Sequence, residues 1–212
     1  MGLGSKLIGR LFGGQLRQPR GFVGRFTGRA MARGNQESNQ WTLSLLEIQP
    51  YDHVLEVGFG PGQSIRSAAE RASHGFVAGI DHSETMVREA SKLNSQAIQS
   101  GRVELKRADV SSIPYTDDVF DKVFAVNVIY LWPDLAKPVR ELRRVLKPGG
   151  LLALYLAPLE LVDKLGLRRS PLFTIHGPDD VIEVLRNAGF IHPEVETKAL
   201  RDGTAKCVLA RK

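Results

Sequence analysis

A chain of 212 residues, 42% apolar and 25% charged, is long enough for one full-sized globular core, and it contains no run of roughly 18 apolar residues that could span a bilayer as a helix. A single cysteine, Cys207, excludes an internal disulfide and suits a reducing, cytoplasmic compartment; with no His/Cys cluster at metal spacing, no metal site is expected. The net charge of +6 is uneven: residues 1–36 hold seven basic residues and no acid, one more than the whole, so residues 37–212 carry −1.

In chain order, Leu3, Leu7 and Leu11, with Ile8, Phe12 and Leu16, recur at i+4, while Lys6, Arg10 and Arg17 lie off that face. Residues 3–17 therefore read as an amphipathic helix with a cationic side. Its four glycines each weaken it by about 1 kcal/mol relative to alanine, so it needs a surface to fold on. A break at Gln18–Gly21 precedes a second helix over 22–33, and a third spans 37–48 with Trp41, Leu45 and Ile48 on its core face. Residues 1–36 thus form a basic helical arm ahead of a main domain, 37–212. The arm suits either a lid over a binding site or peripheral attachment to an anionic membrane; nucleic acid is the less favoured partner.

Beyond Pro50, strands and helices alternate. Strand 53–57 runs into Gly58, Gly60 and Gly62 and a helix over 62–73. Strand 76–80 ends at Asp81, and Ser83 caps a helix over 83–94 whose inner face is Met86, Ala90 and Leu93. Strand 102–106 ends near Asp109. Strand 120–126 is followed by a helix over 134–146 with the stripe Leu135, Val139, Leu142, Leu146, a Lys147–Gly150 stop, and strand 151–156. Pro178 opens a helix over 179–188 that ends at Gly189, and strands near 191–197 and 204–210 close the chain. Repeated strand–helix units predict an α/β, Rossmann-like, doubly wound sheet with its functional crevice at the carboxyl ends of the strands.

The glycine turn asks for a nucleotide, and its neighbours say which. The dinucleotide fingerprint is G-x-G-x-x-G, whereas HVLEVGFGPG continues with Gln63. Asp81, at the end of the second strand, is placed to accept both hydroxyls of a ribose. Asp109, between Ala108 and Val110, is placed to meet the edge of an adenine. Glu56, just before the turn, would repel a pyrophosphate and suits an ammonium. A ribose, an adenine and a cationic tail describe S-adenosylmethionine.

These residues, with the stretches VLEVGFGPG (54–62), GIDHSETM (79–86), RADVSSIPYTDDVFDKVFAVNVIYLW (107–132), ELRRVLKPGGLLAL (141–154) and NAGF (187–190), resemble the class I S-adenosylmethionine-dependent methyltransferases, in the small bacterial branch called type 11. The resemblance runs from about Trp41 to Phe190. It implies a seven-stranded sheet with an antiparallel last strand. It also implies that Gly58, Gly60 and Gly62 admit the methionine part, with Glu56 orienting that end, and that Asp81 binds the ribose. His82 and Met86 would flank the adenosine, and Asp109 would bond the adenine amino group between Ala108 and Val110. Asn127 would touch the methionine amino group and face the transferable methyl.

The implied reaction is methyl transfer to an oxygen or nitrogen of a small, mostly apolar acceptor, with a phospholipid N-methyltransferase as the alternative that the basic arm suggests. Tyr130, Trp132, Tyr155 and His176 are the candidates on the acceptor side, His176 lying in an insertion over 157–177 that covers the pocket; no catalytic base is singled out. Asn127-Val128-Ile129-Tyr130 keeps the outer residues of the N-P-P-Y motif of adenine methyltransferases but lacks both prolines, which counts against a nucleic-acid base. An NAD-linked oxidoreductase, the other class of reading, would want glycine at 63 and, in the short-chain type, Tyr-x-x-x-Lys; neither is present.

Overall fold

Val54, Leu55 and Val57 are all buried, so the strand they form, β1 (His53–Val57), has no solvent face and occupies the middle of a sheet. The computed structural model describes residues 35–212. The arm's helices over 3–17 and 22–33, and with them the lid and membrane readings, lie outside the described residues. β1 pairs in parallel with β2 (Phe76–Asp81) on one side and β4 (Phe120–Val126) on the other. β3 (Val103–Arg107) continues the sheet beyond β2, and β5 (Leu146–Leu156) continues it beyond β4. β7 (Gly203–Arg211) then runs antiparallel to β5, and β6 (Ile191–Leu200) antiparallel to β7. The order is β3-β2-β1-β4-β5-β7-β6, the seven-stranded sheet with an antiparallel last strand that the sequence suggests. The order reverses between β1 and β4, where a ligand crevice opens in such sheets.

Alternate residues of each central strand feed two cores. On one face Leu55, Ile80, Val123 and Leu154 pack with Val139 and Leu142 of α5 (Ala136–Val145) and Leu185 of α7 (Pro178–Asn187). On the other, Val54, Val77, Phe124 and Ala153 pack with Trp41 of α1 (Gln36–Leu45), Ile65 of α2 (Gln63–Arg71) and Ala90 of α3 (Glu84–Leu93). Each such fully buried aliphatic or aromatic side chain contributes about 1.5–3 kcal/mol of transfer free energy.

Four local expectations change. The helix expected over 37–48 ends earlier, and Glu47 at φ +48° turns the chain; Leu46 is thereby buried, while Leu45 and Ile48 are only partly covered. Leu93 is 40% exposed because Asn94, one turn beyond Ala90, takes the inward position instead. The five-residue helix α4 (Ser95–Gln99) is additional. Lys147–Gly150 is no bare helix stop: it lies inside β5, where Leu146 pairs with Phe120 ahead of a register shift and Gly149 at φ +77° absorbs the bulge.

The insertion over 157–177 carries α6 (Leu159–Lys164) and a short 3-10 turn at Leu167–Arg169. Val162, Leu167 and Phe173 form a small core of their own against Tyr130 and Leu131. The Thr174 amide donates to the Tyr130 carbonyl at 2.8 Å, tying the insertion to the 3-10 turn Ile129–Leu131 that follows β4. Among the described residues no helix is long and apolar enough to cross a membrane.

Candidate active site

β1 gives way to three glycines with left-handed φ, +75° at Gly58, +54° at Gly60 and +88° at Gly62, a conformation that side chains with a Cβ disfavour. Packing adds to this at two of them. A Cβ on Gly58 would lie 2.4 Å from Val128 Cγ1, and one on Gly62 would lie 2.6 Å from Ala90 Cβ, whereas one on Gly60 would meet nothing within 4 Å. Gly60 therefore leaves the turn open on the side where a ligand would approach. The turn is pinned by Gly58 N–H to the Ile80 carbonyl at 2.8 Å and Gly62 N–H to the Phe59 carbonyl at 3.1 Å. From below, Asn94 Nδ2 donates to the Gly62 carbonyl at 3.1 Å and to the Ala90 carbonyl at 2.9 Å.

Two carboxyl groups border this turn. Asp81, 7% exposed, accepts the Gly60 amide on Oδ2 at 3.0 Å and the Ser83 amide on Oδ1 at 2.8 Å. Each oxygen keeps a further lone pair, so the pair can still accept two hydroxyls. Burial raises its pKa, and the two amides and His82 oppose that. Glu56, 2% exposed, accepts the Ser64 hydroxyl on Oε1 at 2.5 Å, while Oε2 is buried with no hydrogen-bond partner among the described residues. Burial pushes the Glu56 carboxyl up to about 8; the Ser64 bond opposes the rise and the Asp81 charge adds to it. An orphaned acid oxygen beside an open glycine turn is where an ammonium would be satisfied. The residues present fit S-adenosylmethionine, with Glu56 at the amino acid end and Asp81 at the ribose.

The other expected contacts fall around these two. His82 is partly exposed, its Nδ1 3.8 Å from Asp81 Oδ1. Met86 is buried in the first turn of α3, where its amide donates to the Ser83 cap at 3.4 Å. The Ala108 amide donates to the Asp81 carbonyl at 3.1 Å, which brings the loop after β3 against the end of β2. Asp109 is exposed and caps its own turn, its Oδ1 accepting the Ser111 N–H at 2.7 Å. That loop is held from behind by Arg144, which donates to the carbonyls of Ile113 and Tyr115 at 2.9 and 2.8 Å. Ala108 and Val110 are partly buried against the core. Asn127 ends β4 at φ +56°, and its Nδ2 donates to Ser38 Oγ of α1 at 3.4 Å.

The four acceptor-side candidates separate. Tyr130 and His176 both line a cavity of about 390 Å³ between the carboxyl ends of β4 and β5 and the insertion, with Ile129, Leu156, Val162 and Ile175 as apolar wall. Trp132 is not in that wall: its indole is buried in the core under α5, and its carbonyl lies 2.9 Å from His176 Nε2. Tyr155 is buried against Trp41, ring centroids 6.1 Å apart, and burial pushes its hydroxyl up to about 12.

Ser38, Ser64 and Asn94 hydrogen-bond Asn127, Glu56 and Gly62 respectively and are absent from the sequence-based set. Asn94 left a signal, a polar residue at the inward position of the α3 stripe. Ser64 and Ser38 left none, because a lone serine early in a helix reads as a surface residue. Among the described residues no group of three or more His, Cys, Asp or Glu side chains is arranged to hold a metal ion.

Comparison with known proteins agrees with this geometry. Residues 55–154 match the model of a family described as a methyltransferase domain. The chain is 32% identical over 185 residues, 87% of its own length and 97% of the relative's, to the uncharacterized methyltransferase YdaC of Bacillus subtilis (strain 168). It is 37% identical over 111 residues to the 27-O-demethylrifamycin SV methyltransferase of Amycolatopsis mediterranei (strain S699), covering 52% of this chain and 40% of that one. The fold is shared with a chain from the complex between the Trm112 methyltransferase activator of Haloferax volcanii and a methyltransferase, at a TM-score of 0.76 and 18% identity, over 87% of this chain and 93% of the other.

Proposed function

This chain belongs to the S-adenosylmethionine-dependent methyltransferase family, and from that premise we propose that it methylates an oxygen or nitrogen of a small, mostly apolar acceptor seated in the cavity under the 157–177 insertion. The observation that supports this reading is the wall of that cavity: Ile129, Leu156, Val162 and Ile175 are aliphatic, and Tyr130 sits three residues beyond Asn127 at the end of β4. A cavity of about 390 Å³ suits a molecule of drug size or smaller.

In this reading the methyl donor lies along the carboxyl ends of β1, β2, β3 and β4. Glu56 and the Gly58–Gly62 turn receive the methionine end, Asp81 the ribose, and His82 and Met86 the adenosine. Asp109, with Ala108 and Val110, takes the adenine, and Asn127 faces the methyl group. When bound, the sulfonium supplies an electrophilic methyl. The protein's part is alignment, worth up to roughly 7–11 kcal/mol for well-oriented partners, and exclusion of water by the insertion. Glu56 and Asp81 are engaged with the donor and are not available to the acceptor.

A methyltransferase assay with labelled donor against phenols, quinones, amines and lipids tests the reading. Turnover confined to small apolar acceptors supports it; turnover only on phospholipid overturns it.

A further inference from the structure

The wall of the acceptor cavity contains one histidine, His176, and the fold partners only one of its two ring nitrogens. His176 Nε2 lies 2.9 Å from the Trp132 carbonyl oxygen. A carbonyl oxygen only accepts, so Nε2 carries the hydrogen, and the neutral ring keeps its basic lone pair on Nδ1. Nδ1 has no hydrogen-bond partner among the described residues. The segment that carries His176 is tied to the turn after β4: two residues earlier the Thr174 amide bonds the Tyr130 carbonyl, and Phe173 packs edge-on against Tyr130 at 5.8 Å.

The other charged or titratable groups of the cavity are Tyr130, Glu160, Arg168 and Lys206. Arg168 is a cation paired with Asp163 at 3.0 Å, and Lys206 is a second cation; neither can take a proton. Burial raises the Tyr130 hydroxyl, which stays a donor. Glu160 offers a carboxylate, but its Oε2 lies against Gly203 at the start of β7, 2.7 Å from where a Cβ on that glycine would stand.

We propose that His176 is the general base of the reaction and that the acceptor is a phenol or enol. This rests on the reading of the cavity as the acceptor site. As the acceptor oxygen bonds the methyl carbon, the carbon–sulfur bond breaks with its electron pair staying on sulfur, and the hydroxyl proton passes to His176 Nδ1. Imidazole and phenol differ by roughly 3.5 pK units, a gap that a concerted transfer bridges; imidazole and a water-like hydroxyl differ by roughly 9. The base therefore selects an acidic hydroxyl over an aliphatic alcohol.

The test uses 4-nitrophenol, whose phenolate absorbs in the visible, titrated into the full chain saturated with S-adenosylhomocysteine so that no turnover occurs. The wild type should bind the probe saturably and raise its phenolate-to-phenol ratio by about tenfold or more over the free probe at the same pH, one pK unit. His176→Gln keeps an N–H for the Trp132 carbonyl and should lose most of that rise, any remainder coming from Arg168 and Lys206, with S-adenosylhomocysteine affinity and melting temperature unchanged. A wild-type ratio no higher than the free probe's, or an equal rise in the glutamine variant, overturns His176 as base. Failure of the wild type to bind the probe at all, with S-adenosylhomocysteine bound, overturns the cavity as acceptor site and the inference with it.

Discussion

Ser64 and Glu56 are joined by a 2.5 Å hydrogen bond across the start of α2, and it is the one hydrogen bond that reaches the Glu56 carboxyl group within the described residues. It favours the ionised form, against burial. Ser64→Ala should therefore cost about 1–3 kcal/mol, the usual penalty for orphaning a buried polar atom. The loss should be larger at pH 9, where the wild-type carboxyl is ionised, than at pH 6. Melting temperatures at the two values check this, and equal losses would contradict it.

The sign of the pH dependence follows from the same group. Its folded pKa, about 8, lies above the unfolded value of 4.5, so its contribution to stability is full below 4.5 and is lost as pH rises towards 8. Glu56→Gln should flatten that decline in urea unfolding. It should also weaken S-adenosylmethionine by at least about tenfold, the loss of one charge-assisted contact. In the wild type, donor binding near neutral pH should release a proton from Glu56, seen by calorimetry as a heat that depends on the buffer's ionisation enthalpy.

Asp81→Ala should abolish S-adenosylmethionine binding in calorimetry. Asp81→Asn, which keeps one acceptor oxygen for the Gly60 or Ser83 amide, should bind roughly tenfold more weakly than the wild type, the loss of one good hydrogen bond to a charged group. An affinity within a few-fold of wild type for the alanine variant would sink the ribose assignment.

Gly58 and Gly60 should separate under the same substitution. Gly60→Ala meets open space and carries only the left-handed backbone penalty, about 1–2 kcal/mol. Gly58→Ala adds a clash with Val128 at 2.4 Å, costing about 1–3 kcal/mol more. Val128→Ala in the same chain should recover part of the second loss and none of the first, as measured by denaturant unfolding.

The parallel part of the sheet was legible because β1, β2 and β4 are short apolar runs between turn residues, and the stripe Leu135, Val139, Leu142 names the face of α5. The position of Asp81 was legible because the apolar run of β2 stops at it. Less could be read where tertiary packing overrides local pattern. Lys147–Gly150 looks like a stop until the pairing of Leu146 with Phe120 draws it into β5. Trp132 and Tyr155 look like pocket walls by position, yet their rings turn into the two cores. Which ring nitrogen His176 offers depends on a carbonyl 44 residues away in the chain, which no spacing rule reaches.

The placement of β7 between β5 and β6 bears on how the chain is made. β6 emerges from the ribosome first and has no partner, because β7 must pair with both β5 and β6. Until Gly203–Arg211 is released, the β5 edge, with Leu152 and Leu154, stays open to any passing strand. Closure of the sheet therefore waits on the last strand in chain order. Substitutions that slow the seating of Cys207 and Val208 should reduce soluble yield before they touch activity.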